Sequence, residues 1–123
     1  MKRILIVDDA ATVRMYHRNI LESAGYLVEE AINGIEALEK ALLTSFDLYI
    51  MDINMPKRDG YGLLSDLRSE AMPQAPAIMV STEAAAGDVS VAYRVGANGY
   101  LVKPVRPGVL LANVRLMLGE VRP

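Results

Sequence analysis

Five short apolar runs alternate along this chain with five segments of helical spacing, and that alternation leaves few folds open. The runs are residues 4–7, 27–32, 48–51, 77–80 and 100–102. Each has the length of a strand and is too short to be a helix. In the first intervening segment Val13, Tyr16, Ile20, Leu21 and Ala24 share one face, and Gly25 marks a C-terminal stop. A second helix is expected over about 35–43, behind an Asn33-Gly34 turn. A third follows Asp59-Gly60, with Tyr61, Leu64 and Leu67 in register. The fourth, near 88–95, closes on Gly96. The last opens near Pro107, a favourable first-turn residue, and carries Leu110, Val114 and Leu118.

Strand and helix in strict alternation predict an α/β fold, a doubly wound parallel sheet of five strands with helices on both faces. The second strand holds Glu29 and Glu30 in its middle, so it belongs at an edge. Right-handed crossovers then allow the order 2-1-3-4-5. Winding reverses between strands 1 and 3, and ligand crevices open beyond the carboxyl ends of strands at such a point.

At 123 residues the chain is expected to be a single domain, residues 1–123, with nothing left over for an output domain. Apolar residues make up 52% with one Phe and no Trp, so aliphatic side chains must build the core. A net charge of −2 argues against a dedicated nucleic-acid binder, which carries a basic stripe. The absence of cysteine excludes disulfides, thiolate zinc sites and cysteine nucleophiles. The start, MKRILIVDDA, has too short an apolar stretch for a signal peptide, and no run approaches a membrane span. A cytoplasmic, monomeric protein is the expectation.

The predicted crevice collects a specific set of side chains. Strand 1 ends in Asp8-Asp9, strand 3 in Asp52, strand 4 in Ser81-Thr82 and strand 5 in Lys103-Pro104. Taken singly, each is an ordinary polar residue leaving a strand. Taken together they place three carboxylates, a hydroxyl and an ammonium at one place. Clustered carboxylates need a cation to stay ionised together, and oxygen ligands on loops suit Mg²⁺. Such a set fits phosphoryl transfer, which depends on alignment and charge neutralisation. Asp52 is the expected nucleophile, forming an aspartyl phosphate, because the adjacent Asp8 and Asp9 look like the metal pair.

The segments ILIVDD, MDINMPKRDGYGLL, IMVST and GANGYLVKP carry a resemblance. Over essentially its whole length the chain resembles a response-regulator receiver domain of the stand-alone CheY type, a family that is itself an instance of this strand order. The resemblance implies that Asp52 is the phosphoacceptor and that Asp8 and Asp9 are the acidic Mg²⁺ pair, with Asp52 and the backbone carbonyl of Asn54 as further ligands. It makes Lys103 the partner of the phosphoryl group and Lys103-Pro104 a cis peptide. Ser81 takes the place of the switch hydroxyl and Tyr100 that of the switch aromatic. Thr82 would point to the opposite face.

The implied partners are a histidine kinase, which presents a phosphohistidine, and a downstream protein. The output surface is expected on the fourth helix, fifth strand and fifth helix, with Ala84, Ala85, Ala86, Val89, Tyr93, Tyr100 and Val102. Asn54 and Glu83 occupy the positions that tune phosphoryl lifetime in this family, and two polar groups there predict rapid self-dephosphorylation. A chemotaxis role at a flagellar motor switch is favoured, with a phosphorelay intermediate or phosphate sink as the alternative. Two further classes fit less well. A haloacid-dehalogenase-type phosphohydrolase wants a second Asp where Asn54 stands, and a nucleotide or flavin module wants a Gly/Ser/Thr-rich loop where Asp8-Asp9 stands. His17, the only histidine, is expected to be a partly buried structural residue.

Overall fold

The computed structural model describes residues 1–83 and 86–120, so Ala84 and Ala85 of the expected output surface lie outside the described residues. Its elements alternate as expected: β1 (Arg3–Val7), α1 (Ala11–Ser23), β2 (Leu27–Ala31), α2 (Gly34–Leu43), β3 (Leu48–Asp52), α3 (Gly60–Ser69), β4 (Ala77–Ser81), α4 (Ala86–Arg94), β5 (Gly99–Val102) and α5 (Pro107–Met117). The five strands form one parallel sheet in the order β2-β1-β3-β4-β5.

Burial explains the order. Every residue of β3 and β4 is buried, which suits central strands covered on both faces. β2 sits at the edge, where its two glutamates find arginines. Arg3 Nη1 lies 2.6 Å from Glu29, and Glu30 takes Arg14 at 2.9 Å and Arg18 at 2.6 Å. Alternate residues of the strands feed two separate cores. Leu5, Val7, Tyr49, Met51 and Met79 pack with Ala37, Leu63, Leu64 and Ala92, so α2, α3 and α4 cover one face. Ile4, Ile6, Ile50, Ile78 and Val80 pack with Leu21, Leu110 and Val114, so α1 and α5 cover the other.

Local signals set the helix boundaries. The Asn33 side chain caps α2 by accepting from the Glu36 N–H at 2.8 Å, and Asp59 caps α3 by accepting from Gly62 at 2.7 Å. Gly25 and Gly96 adopt φ of +93° and +114° behind α1 and α4, a region open to glycine.

The inward face of α1 differs from the expected one. His17 is 3% exposed and sits with Leu21 on the buried stripe, whereas Tyr16 and Ala24 are exposed. Tyr16 donates its hydroxyl to the Val105 carbonyl at 3.2 Å, which satisfies the polar tip while the residue stays exposed. His17 is more deeply buried than the sequence suggested, and that burial lowers its pKa, with Asp8 opposing and Lys103 adding to the effect. Ile32 lies one residue beyond β2 and is exposed, and Leu118 is half-buried.

Candidate functional site

The carboxyl ends of β1, β3, β4 and β5 bring the expected residues together, and the sheet ladder continues just far enough to hold them. The Asp8 N–H donates to the Ala31 carbonyl at 3.1 Å, Ile53 to Val80 at 3.3 Å and Lys103 to Ser81 at 2.8 Å. Asp52 and Ser81 are themselves the last residues of their strands. Asp8 leaves β1 in a tight turn, its Oδ1 accepting from the Ala10 N–H at 2.9 Å. Arg14 secures that turn by donating to the Asp8 carbonyl at 2.8 Å while also holding Glu30.

Asp8, Asp9 and Asp52 each offer a carboxylate oxygen, and the three oxygens lie within 4.8 Å of one another. Asp8 and Asp52 are buried, whereas Asp9 opens to solvent. Lys103 crosses the cluster: its Nζ stands 3.0 Å from Asp8 and 3.2 Å from Asp52. The Lys103-Pro104 peptide is cis.

The electrostatics show an excess of negative charge. Burial, followed by the neighbouring Asp8, pushes the Asp52 carboxyl above its ordinary pKa; Lys103 pulls the other way and Asp9 adds to the rise. Burial by itself would lower the Lys103 pKa, but its bonds to Asp8 and its attraction to Asp52 leave it raised. The ammonium is therefore held charged, yet one positive charge does not offset three carboxylates. An all-oxygen donor set with residual negative charge fits a hard divalent cation. Asp8, Asp9 and Asp52 are the residues here that fit one.

The remaining expected residues surround this centre at different depths. Ser81 is fully buried and its hydroxyl accepts from the Glu83 N–H at 3.0 Å, while Thr82 is exposed. Asn54 and Glu83 are exposed. Tyr100 is half-buried against the core and donates its hydroxyl to the Glu83 carbonyl at 2.7 Å.

The loop behind Asp52 is held by residues that the sequence reading did not pick out. Arg58 forms a two-pronged pair with Asp66 at 3.0 and 2.9 Å. A Cβ on Gly62 would fall 2.7 Å from the Arg58 guanidinium carbon, and one on Gly34 would fall 2.6 Å from the Arg58 carbonyl oxygen. A glycine such as Gly62 inside a helix weakens it by about 1 kcal/mol, which was the available signal of a close approach.

Residues 4–115 match the family described as the response regulator receiver domain. The chain belongs to the receiver-domain family of two-component response regulators. It is 39% identical over 121 residues to the chemotaxis protein CheY1 of Helicobacter pylori, covering 95% of this chain and 97% of that protein. The structure of the chemotaxis protein CheY4 of Vibrio cholerae superposes with a TM-score of 0.91 at 37% identity, covering 96% of this chain and 99% of that one. A probable transcriptional regulator, ycf27 of Cyanophora paradoxa, is 38% identical over 117 residues, but this chain spans only 48% of its length. Receiver domains are signalling proteins that interact with histidine kinases and downstream targets. Among the described residues no helix is long and apolar enough to cross a membrane.

Proposed function

We propose that this chain is a phosphoacceptor that takes a phosphoryl group onto Asp52 from a histidine kinase and passes the change to a partner-binding face. The observation that supports it best is the three-carboxylate cluster bridged by Lys103 at the strand ends.

A carboxylate oxygen of Asp52 attacks the phosphorus of the kinase phosphohistidine. The new O–P bond forms as the N–P bond breaks, and the imidazole leaves with the electron pair and takes a proton from solvent. Asp8, Asp9, Asp52 and the Asn54 carbonyl would hold Mg²⁺, which would supply positive charge to the phosphoryl oxygens. Lys103 neutralises further charge from the side of β5. The Ser81 hydroxyl accepts from Glu83 and so keeps its own proton free to donate to a phosphoryl oxygen. That bond ties β4 to the modified aspartate, and Tyr100, bonded to the Glu83 carbonyl, senses the same loop. The phosphoryl group is lost by hydrolysis: a water oxygen bonds to phosphorus as the Asp52 O–P bond breaks, releasing inorganic phosphate and a proton and restoring the Asp52 carboxylate.

The face formed by α4, β5 and α5 is the proposed output surface. On it Tyr93 and Val102 are exposed, and Val89 and Tyr100 half-buried. A role in chemotaxis is supported by the chemotaxis proteins among the relatives, and a flagellar motor switch is the downstream partner of this reading. Kinase transfer tests the reading. A histidine kinase carrying labelled phosphate should lose its label to the wild-type chain in the presence of Mg²⁺. Equal loss to Asp52→Asn would refute Asp52 as the acceptor.

A further inference from the structure

Helix α3 carries two side chains that reach α4, one at each end. Tyr61, in its first turn, donates its hydroxyl to the Asp88 carbonyl at 3.2 Å, within the first turn of α4. Arg68, seven residues on, donates from Nε and Nη2 to the Gly96 carbonyl at 3.2 and 2.9 Å, just behind the last turn of α4. Seven residues are two helical turns, so both side chains leave the same face of α3, separated by about 10 Å along the axis. The two carbonyls they reach are eight residues apart, a spacing of about 12 Å in a helix. The pair therefore matches the length of α4.

The contact at Gly96 is shaped for arginine. A Cβ at that position would lie 2.9 Å from Arg68 Cγ, and the backbone there already has φ of +114°. Arg68 is anchored further by the Ala75 carbonyl at 2.7 Å and the Asn98 side chain at 3.0 Å, and Asn98 in turn accepts from the Ala77 N–H of β4. At its other end α3 rests on the candidate site. A Cβ on Gly60 would fall 2.4 Å from the Asp52 carbonyl oxygen, and the Gly60 N–H donates to the Ile53 carbonyl at 2.8 Å.

We propose that Tyr61 and Arg68 are positioning residues that make α3 a second lever between Asp52 and the α4 face, in parallel with Ser81 and Tyr100. The inference rests on the phosphoacceptor reading of Asp52. A displacement at the end of β3 reaches α3 through Gly60, because there is no slack between the two backbones. The two side chains then transmit it to both ends of α4. Tyr61 and Tyr100 also pack on the same core cluster, which includes Ala92 of α4.

Amide hydrogen exchange over residues 88–95, with and without Mg²⁺ and beryllofluoride as an acyl-phosphate mimic, tests this. Tyr61→Phe removes one hydroxyl and keeps the ring. The expected result is that loading changes exchange in α4 roughly fivefold less in the variant than in the wild type, the factor one neutral hydrogen bond allows. Arg68→Lys keeps the charge, loses the fork, and should act likewise on the last turn. A merely structural role would raise exchange equally in the loaded and free states, and that result overturns the inference. The fluorine signal of bound beryllofluoride separates the two possible failures. If it is absent from the wild type, the Asp52 reading falls and this inference with it. If it is present with α4 responding in both variants as it does in the wild type, only the lever falls.

Discussion

Lys103 stands two strands away from Asp52 in the sheet, yet its ammonium spans β4 and lies 3.2 Å from the Asp52 carboxylate. The same nitrogen holds Asp8 at 3.0 Å. It thus competes for the carboxylates that fit a divalent cation, while supplying charge that phosphoryl transfer needs. The two roles give effects of opposite sign. Lys103→Ala should bind Mg²⁺ at least as tightly as wild type by calorimetry, while phosphorylation by acetyl phosphate slows by about 100-fold, as for loss of one preorganised charge donor.

Gly60 has no room for a side chain, because its would-be Cβ meets the Asp52 carbonyl oxygen at 2.4 Å and Ile53 Cα at 2.9 Å. Both obstacles are backbone, so neither can swing aside. Gly60→Ala should cost about 3 kcal/mol in urea unfolding, at the upper end of overpacking penalties, and should weaken Mg²⁺ binding through displacement of Asp52.

Asn54 and Glu83 are both exposed, and in the proposed reading they orient an attacking water. Replacing both with apolar residues should lengthen the aspartyl-phosphate lifetime by about tenfold, less than the roughly 100-fold at the low end of what a full general acid or base contributes. A decay followed by rapid quench would show it.

Glu30 gives the clearest acid sensitivity. Hydrogen bonding from Arg18, with Arg14 besides and burial opposing, holds its carboxyl below the ordinary glutamate pKa. The stability it contributes is present above the unfolded value and is lost as pH falls through the folded one. Its side chain is 28% exposed, so solvent screens the pairs. Glu30→Gln should therefore cost only about 0.5–1 kcal/mol at neutral pH, and the difference from wild type should vanish in acid. Urea midpoints at several pH values check both parts.

The sheet was readable because burial dictates composition. β3 and β4 are buried throughout and spell continuous apolar runs, and Glu29 and Glu30 could only sit on an edge. The site followed from the strand ends, since a buried strand that stops on Asp52 or Ser81 has one place to put it. The face of α1 was harder. Amphipathic residues carry no fixed inside or outside, so Tyr16 lies further out and His17 further in than expected, with the tyrosine hydroxyl satisfied by the Val105 carbonyl. Contacts of Arg58 and Arg68 were invisible for another reason. Long side chains reach partners set by tertiary packing, and only the glycines opposite them, Gly62 and Gly96, left a trace in the sequence.

The central claim is that Asp52 accepts a phosphoryl group in a Mg²⁺-dependent reaction, and intact mass tests it most directly. The chain is incubated with acetyl phosphate, with and without Mg²⁺, beside Asp52→Asn, and sampled at short times. The account predicts a gain of one phosphoryl group in the wild type with Mg²⁺ and none in the variant. No gain at any time, or an equal gain in Asp52→Asn, would contradict it.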